Sequence, residues 1–240
     1  MLHDVRQAAP AIAHQAATGQ RPGAASATAS AVARTRMAVI RALDIGLTAA
    51  SAVVTGPFLA LGWLLAWSSS AGPGLFRQER IGRDGRPFTM LKLRTMRVNC
   101  DDEEHRAYVR GMLSDEQQTS AQQGMYKLAA DPRITWIGAF LRKTSLDELP
   151  QLINVLRGEM SLVGPRPALP WEAEMFQPAD RQRFAVRPGI TGLWQVSGRS
   201  RLTMRQALDL DVEFVRRYSV RQYLTILART GPALLTGGAS

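Results

Sequence analysis

From Ile45 to Phe76 the chain carries not one Asp, Glu, Lys or Arg. A soluble core helix of that length normally keeps a polar face. The stretch IGLTAASAVVTGPFLALGWLLAW therefore reads as a membrane segment, long enough for a spanning helix. Two details set it apart from a plain span. Gly56-Pro57 lies in its middle, and a proline there removes a backbone donor and clashes with the carbonyl four residues back, so a kink is expected. The arm from Ile45 to Gly56 makes about 18 Å of helix, well short of a hydrocarbon core of about 30 Å. Both flanks are also positive, with Arg34, Arg36 and Arg41 before the segment and Arg77, Arg80, Arg83 and Arg86 after it. Positive charge marks the cytoplasmic side, so both ends are expected there. A re-entrant hairpin bent at Gly56-Pro57 meets all three observations. A Pro-kinked span with the N-terminal tail outside is the alternative.

The 240 residues suffice for one domain plus a tail, or for two small domains. Residues 1–33 are rich in Ala, Thr, Ser, Gly and Gln, lack apolar periodicity and read as a disordered tail. Their first thirty residues hold no compact apolar core, so they are not a secretory signal. Beyond the apolar segment, Phe88 to Met96 alternates loosely and predicts a strand. Residues 102–120 read as a helix or loop with solvated charge. Ile134 to Arg142 and Leu149 to Leu156 predict short helices, the second stopped by Gly158. The Gly/Pro-dense stretches 163–167 and 187–198 predict loops, and Leu208 to Tyr218 a further helix. Residues 219–240 turn apolar again, with Arg221 and Arg229 interspersed. That suits either an interfacial amphipathic segment or a core-packing helix.

Composition removes several chemistries. A single Cys (Cys100) excludes a disulfide framework and a Cys-rich zinc site. His3 and His14 lie in the tail, which leaves His105 alone for the folded part. A Ser-His-Asp triad or a His-built metal centre is thus not expected. Carboxylates, arginines and hydroxyls remain. The formal charge is +10, and of the 30 basic residues only Lys92, Lys127 and Lys143 are lysine. An arginine surplus suits bidentate binding of phosphate, an anionic membrane surface, or merely a GC-rich genome.

Three clusters carry candidate chemistry. Ser145 to Glu148 has the S-x-x-E form of a capping box, which would place Asp147 in the first turn of a helix, where the dipole favours the ionised carboxylate. Pro150 fits that register poorly; in the alternative register the helix proper begins at Leu149 or Pro150 after a turn. Either way Asp147 and Glu148 stand at a helix entrance, with Arg142 and Lys143 just upstream. Val163-Gly-Pro-Arg-Pro167 holds Arg166 rigidly between two prolines, and Arg187-Pro-Gly-Ile-Thr-Gly192 sets Arg187 beside a tight turn. Gly189 and Gly192 would let backbone N–H groups approach an anion. Together the clusters describe a carboxylate pair facing an arginine-lined phosphate pocket.

These stretches, with GPGLFRQERIGRDGRPFTMLKLRTM (72–96), DPRITWIGAFLRKTSLDELPQLINVLRGEMSLVGPRP (131–167), RPGITGLWQVSGR (187–199) and DLDVEFVRRYS (209–219), resemble the bacterial sugar transferase family, the small monotopic phosphoglycosyl transferases. The closer resemblance is to the branch that starts exopolysaccharide repeat units, and it covers residues 37 to 220. It implies a mainly helical α+β fold: a re-entrant membrane hairpin helix (34–71), a cytoplasmic catalytic domain with interfacial amphipathic helices (72–220) and an apolar C-terminal interfacial segment (221–240), at the bacterial inner membrane. Where the family places Ser-Pro at the bend, this chain has Gly56-Pro57.

The resemblance also implies a ping-pong reaction. Asp147 would attack the β-phosphate of a UDP-sugar, with glucose or galactose as the sugar. UMP would leave, and undecaprenyl phosphate would take the phosphosugar from the aspartate. Magnesium would assist near Asp147, and Glu148 would orient the pair or handle a proton. Arg142, Arg166, Arg187, Lys92 and Arg94 match basic positions of the family, and Asp211 a family acid of less defined role. A membrane glycosyltransferase releasing UDP is the alternative enzyme. A basic scaffold or nucleic-acid binder would interleave its arginines with exposed aromatics. Here the arginines gather at Pro/Gly turns beside carboxylates, so no nucleic-acid partner is expected.

Overall fold

The computed structural model describes residues 24–98, 111, 133–198 and 202–236. Most of the tail and the segment 102–120, apart from Gly111, lie outside the described residues. The first element, α1, runs over Ala24–Ser69 and so begins inside the stretch read as tail. The reason is local: AASATASAVAR is dominated by alanine, the residue with the highest helix propensity. α1 is one helical segment through Pro57. Its portion Ala31–Ser69 is long and apolar enough to cross a membrane, and the most apolar window is only 11% buried, unlike a core helix.

What the domain does bury of α1 lies near both ends of the apolar stretch. Ile40, Asp44 and Thr48 are buried on one arm and Gly62 and Ala66 on the other. Between them Val53, Val54 and Phe58 stand exposed. The hairpin β1 (Leu75–Ile81) and β2 (Pro87–Leu93) follows, antiparallel, with Leu75 opposite Leu93 and Ile81 opposite Pro87. Asp84 and Gly85 turn it with positive φ of 58° and 73°, the conformation an Asp-Gly pair accepts most readily. Beyond β2, which ends at Leu93, Arg97 N donates to Arg133 O at 2.9 Å.

Helix α2 (Trp136–Lys143) starts on Thr135, whose hydroxyl accepts from Gly138 N. Its inner residues Ile137 and Leu141 pack with Leu93 of β2 and Ala66 of α1. A 3₁₀ turn over Leu146–Glu148 leads into α3 (Gln151–Arg157), which ends on Gly158 in the left-handed region (φ 82°), as a C-terminal glycine should. Buried Asn154 ties α3 to the hairpin by accepting from Leu91 N at 3.0 Å and donating to Thr89 O at 2.7 Å.

A small sheet forms at the edge of the first stretch read as a loop and inside the second. β3 (Ser161–Val163) pairs in parallel with β4 (Gly189–Thr191), Ser161 opposite Gly189 and Val163 opposite Thr191. The glycines permit it: a Cβ at Gly189 would collide with the Gly164 backbone, and one at Gly192 with the Gly164 carbonyl. Their role here is close strand approach, where the sequence suggested anion approach. Between the strands lie α4 (Pro170–Met175) and a 3₁₀ stretch (Asp180–Ala185); after β4 come α5 (Leu193–Ser197), α6 (Met204–Arg216) and α7 (Val220–Thr236). In α7, Tyr223 and Ile226 join Ile40, Val163, Val186 and Phe214 in one core cluster, so the first turns of the C-terminal segment pack on the core.

Candidate active site

Asp147 sits on the 3₁₀ turn between α2 and α3 and is 8% exposed. The expected capping box is absent. Ser145 takes a left-handed conformation (φ 57°) and makes no side-chain cap, and Pro150 instead precedes the first residue of α3. The fixed φ of proline suits a helix start, and its missing N–H leaves no donor unmet there. So short a turn offers Asp147 little helix dipole, and burial dominates. Desolvation pushes its carboxyl above the usual carboxylate range; Lys92 and Arg142 pull it back, while Glu148 adds to the rise.

The neighbouring charges come from three elements. Lys92, on β2, reaches Glu148, with Nζ and Oε1 3.0 Å apart. Arg142, in the last turn of α2, donates from Nε to Thr95 Oγ1 at 2.9 Å. Thr95 follows β2 directly, and Thr135 N donates to its carbonyl at 3.0 Å, so β2 and α2 are locked where the two cations emerge. Leu93 and Leu141, each next to one of those cations, carry α1. The structure thus gathers Lys92, Arg142, Asp147 and Glu148 beside the second arm of the membrane-type helix.

The other expected positions are engaged differently. Arg94 is 5% exposed, and its guanidinium caps the end of α1, donating to Ala66 O, Ser70 O and Ala71 O at 3.0, 2.7 and 2.7 Å. It anchors the helix and faces carbonyls where the sequence suggested a phosphate. Asp211 is buried in an ion pair with Arg183, and burial lifts its carboxyl to about 6 despite that partner. The same guanidinium donates to Arg166 O, and Arg80 donates to Pro167 O at 3.0 Å. Two buried arginines therefore pin the Pro-Arg-Pro loop that presents Arg166. Arg187 donates from Nε to Gly158 O at 2.8 Å, where Arg41 also reaches the last carbonyls of α3. Burial, helped by Arg41 and Arg83, lowers the pKa of Arg187.

Among the described residues no three His, Cys, Asp or Glu side chains converge as a metal cage. A cleft of about 450 Å³ lined by Asp180, Arg205, Asp209 and Glu213 lies elsewhere, and Arg205 is paired there with both aspartates. Sequence reasoning missed Thr95, Arg183 and Asn154. Thr95 lay in plain view within KLRTM, whereas Arg183 and Asn154 have no local signal, because their partners are remote in the chain.

The model of one family, bacterial sugar transferase, matches residues 35–237, which include every residue of this cluster. The chain belongs to the bacterial sugar transferase family. Among its relatives, galactosyl transferase CpsE of Streptococcus agalactiae is 43% identical over 167 residues, 69% of this chain. Exopolysaccharide production protein ExoY of Sinorhizobium fredii is 37% identical over 194 residues, 81% of this chain and 84% of ExoY. UDP-glucose:undecaprenyl-phosphate glucose-1-phosphate transferase of Caulobacter vibrioides is 40% identical over 204 residues, 82% of this chain and 69% of that protein. The chain spans only 35% of the length of CpsE. The chain thus matches most of ExoY and only a part of the longer relatives.

Proposed function

We propose that this protein transfers a sugar 1-phosphate from a UDP-sugar, glucose or galactose, to undecaprenyl phosphate, as the first membrane step of exopolysaccharide repeat-unit synthesis. One observation carries the reading furthest. A shielded acid, Asp147, lies within electrostatic reach of Lys92 and Arg142, which stand on the two elements that hold the membrane-type helix. In the proposed first step a carboxylate oxygen of Asp147 attacks the β-phosphorus of the donor. The bond from that phosphorus to the bridging oxygen breaks, and UMP leaves with the oxygen and its electron pair. In the second step a phosphate oxygen of the lipid attacks the same phosphorus and frees the carboxylate. Splitting the transfer this way replaces one difficult displacement with two easier ones.

The main obstacle is charge, since a carboxylate approaches a diphosphate against repulsion. Lys92 and Arg142 hold positive charge at the attacking group, and Arg166 and Arg187 are assigned to the phosphates. Glu148, held by Lys92, orients the dyad. Arg94 and Asp211 support the site from behind through the bonds described above. Magnesium fits the donor set as an ion shared with substrate, because it commonly takes one or two carboxylates plus phosphate oxygens. Asp147 would hold it, with Glu148 beside it, and when bound it supplies further neutralisation of the diphosphate.

The re-entrant anchor and cytoplasmic placement belong to the same proposal. Their support is that one polar domain touches α1 at Arg41 and Asp44 and, through Arg94, again at Ala66 and at Ser70 and Ala71 just past the helix, as a hairpin with both ends on one side requires. The site then opens at the headgroup level, where the acceptor phosphate resides. The test is incubation with UDP-glucose or UDP-galactose, magnesium and undecaprenyl phosphate, with both products identified. The expected products are UMP and the lipid diphosphosugar, with a phosphosugar adduct on Asp147 in quenched enzyme, absent in Asp147→Asn. Release of UDP alone refutes the assignment in favour of a glycosyltransferase.

A further inference from the structure

We infer that Asp44 is a positioning residue, which clasps the membrane arm of α1 to the strand feeding the Arg166 loop and so sets where the lipid acceptor meets the site. The inference rests on the function proposed above. Asp44 is the last charge before the apolar stretch, and it is fully buried. Its Oδ1 accepts from Ser161 Oγ, from Leu162 N and from the Tyr223 hydroxyl, each at 2.9 Å. One carboxylate oxygen thus joins α1, β3 and α7. Its Oδ2 has no hydrogen-bond partner among the described residues, and neither has Thr48 Oγ1 one turn further along. A buried carboxylate so incompletely satisfied is poor for stability, and an apolar side chain would fill such a seam at lower cost. What the carboxylate supplies is a fixed register.

That register leads directly to the chemistry. β3 ends at Val163 and continues into Gly164-Pro165-Arg166-Pro167. The loop is fastened to β4 by Gly164 N to Thr191 O at 2.9 Å and by Gly189 N to Pro165 O at 2.8 Å. The other arm of α1 packs on Leu93 and Leu141, beside Lys92 and Arg142. α1 therefore bridges the half of the site bearing Asp147 and the half bearing Arg166, and Asp44 makes the polar contact to the latter. A donor arriving from water depends little on this seating. An acceptor phosphate held at the depth of α1 depends on it directly.

The test uses the full chain in lipid nanodiscs and separates the half-reactions. For Asp44→Ala the KM for undecaprenyl phosphate should rise about tenfold while the KM for the UDP-sugar stays within about twofold. Asp44→Asn keeps an Oδ1 acceptor and should lie within about threefold of wild type in both. Tyr223→Phe, which removes one bond of three and leaves the core aromatic in place, should give a smaller shift of the same kind and keeps the test open if Asp44→Ala does not fold. An equal rise in both KM values, no rise, or an Asn variant as impaired as Ala overturns the inference. A wild-type protein that makes no lipid-linked sugar overturns the proposed function instead. In that case amide exchange over residues 40–48 decides the clasp: acceleration in Asp44→Ala but not in Asp44→Asn supports it, and unchanged exchange refutes it.

Discussion

Replacing Arg94 by alanine separates an anchoring role from a phosphate-binding one. The guanidinium serves three carbonyls at the end of α1, and hydrogen bonds from a charged donor contribute about 1.5–3 kcal/mol each where both partners are buried. Ser70 and Ala71 are half-buried or exposed, so their carbonyls can turn to water, whereas Ala66 is fully buried. One full bond and two partial ones give a loss of about 2–4 kcal/mol. For a domain of this size that corresponds to a fall in Tm of about 5–15 °C. Arg94→Lys, a point charge that reaches fewer carbonyls, should lose about half as much. The assay is thermal unfolding followed by tryptophan fluorescence in nanodiscs, with UMP release measured below the transition. The expected result is a large drop in Tm with the KM for UDP-sugar nearly unchanged. An unchanged Tm with a KM raised about tenfold or more would place the guanidinium on the donor phosphate and refute the anchoring argument.

Three further outcomes are expected. Lys92 lowers the pKa of Asp147, so Lys92→Ala should raise it further and move the acid limb of the UMP-release profile to higher pH; a limb that stays in place would detach Lys92 from the nucleophile. Asp211 has a folded pKa of about 6, raised from 3.8. The folded state therefore binds more protons across that window, and the stabilisation this group gives at low pH is lost as pH rises through about 6. Relative to Asp211→Asn, wild type should gain Tm on going from pH 7 to pH 5, and a difference independent of pH would contradict the shift. Finally, with Cys100 replaced by serine, cysteines introduced at Arg34 and Arg86 should react with an impermeant reagent from the same side of the membrane; labelling from opposite sides would eliminate the re-entrant anchor.

The charge-free stretch, the helix after Pro150 ended by Gly158, and the adjacent acids were legible because each depends on neighbours in the chain. Period, proline and glycine act within a turn or two. Other expectations were changed by contacts between remote segments. Whether Arg94 faced a phosphate or a carbonyl depended on where α1 ended relative to β2. That strands form at 161–163 and, within the stretch read as a loop, at 189–191 depended on Gly164 and Gly189 meeting backbone to backbone. Whether Asp147 was held ionised by a helix dipole or pushed upward by burial depended on how α2, α3 and β2 enclosed it.

The sequence by itself determined that a membrane-grade helix adjoins an arginine-rich domain with a carboxylate pair at a helix entrance, because hydrophobic period and turn chemistry are local properties. Only the tertiary structure decided which arginines remain near Asp147 and which are engaged in closing helix ends and pinning the Pro-Arg-Pro loop. A guanidinium satisfies a carbonyl as readily as a phosphate, and the choice is made by whichever acceptor the fold brings within reach.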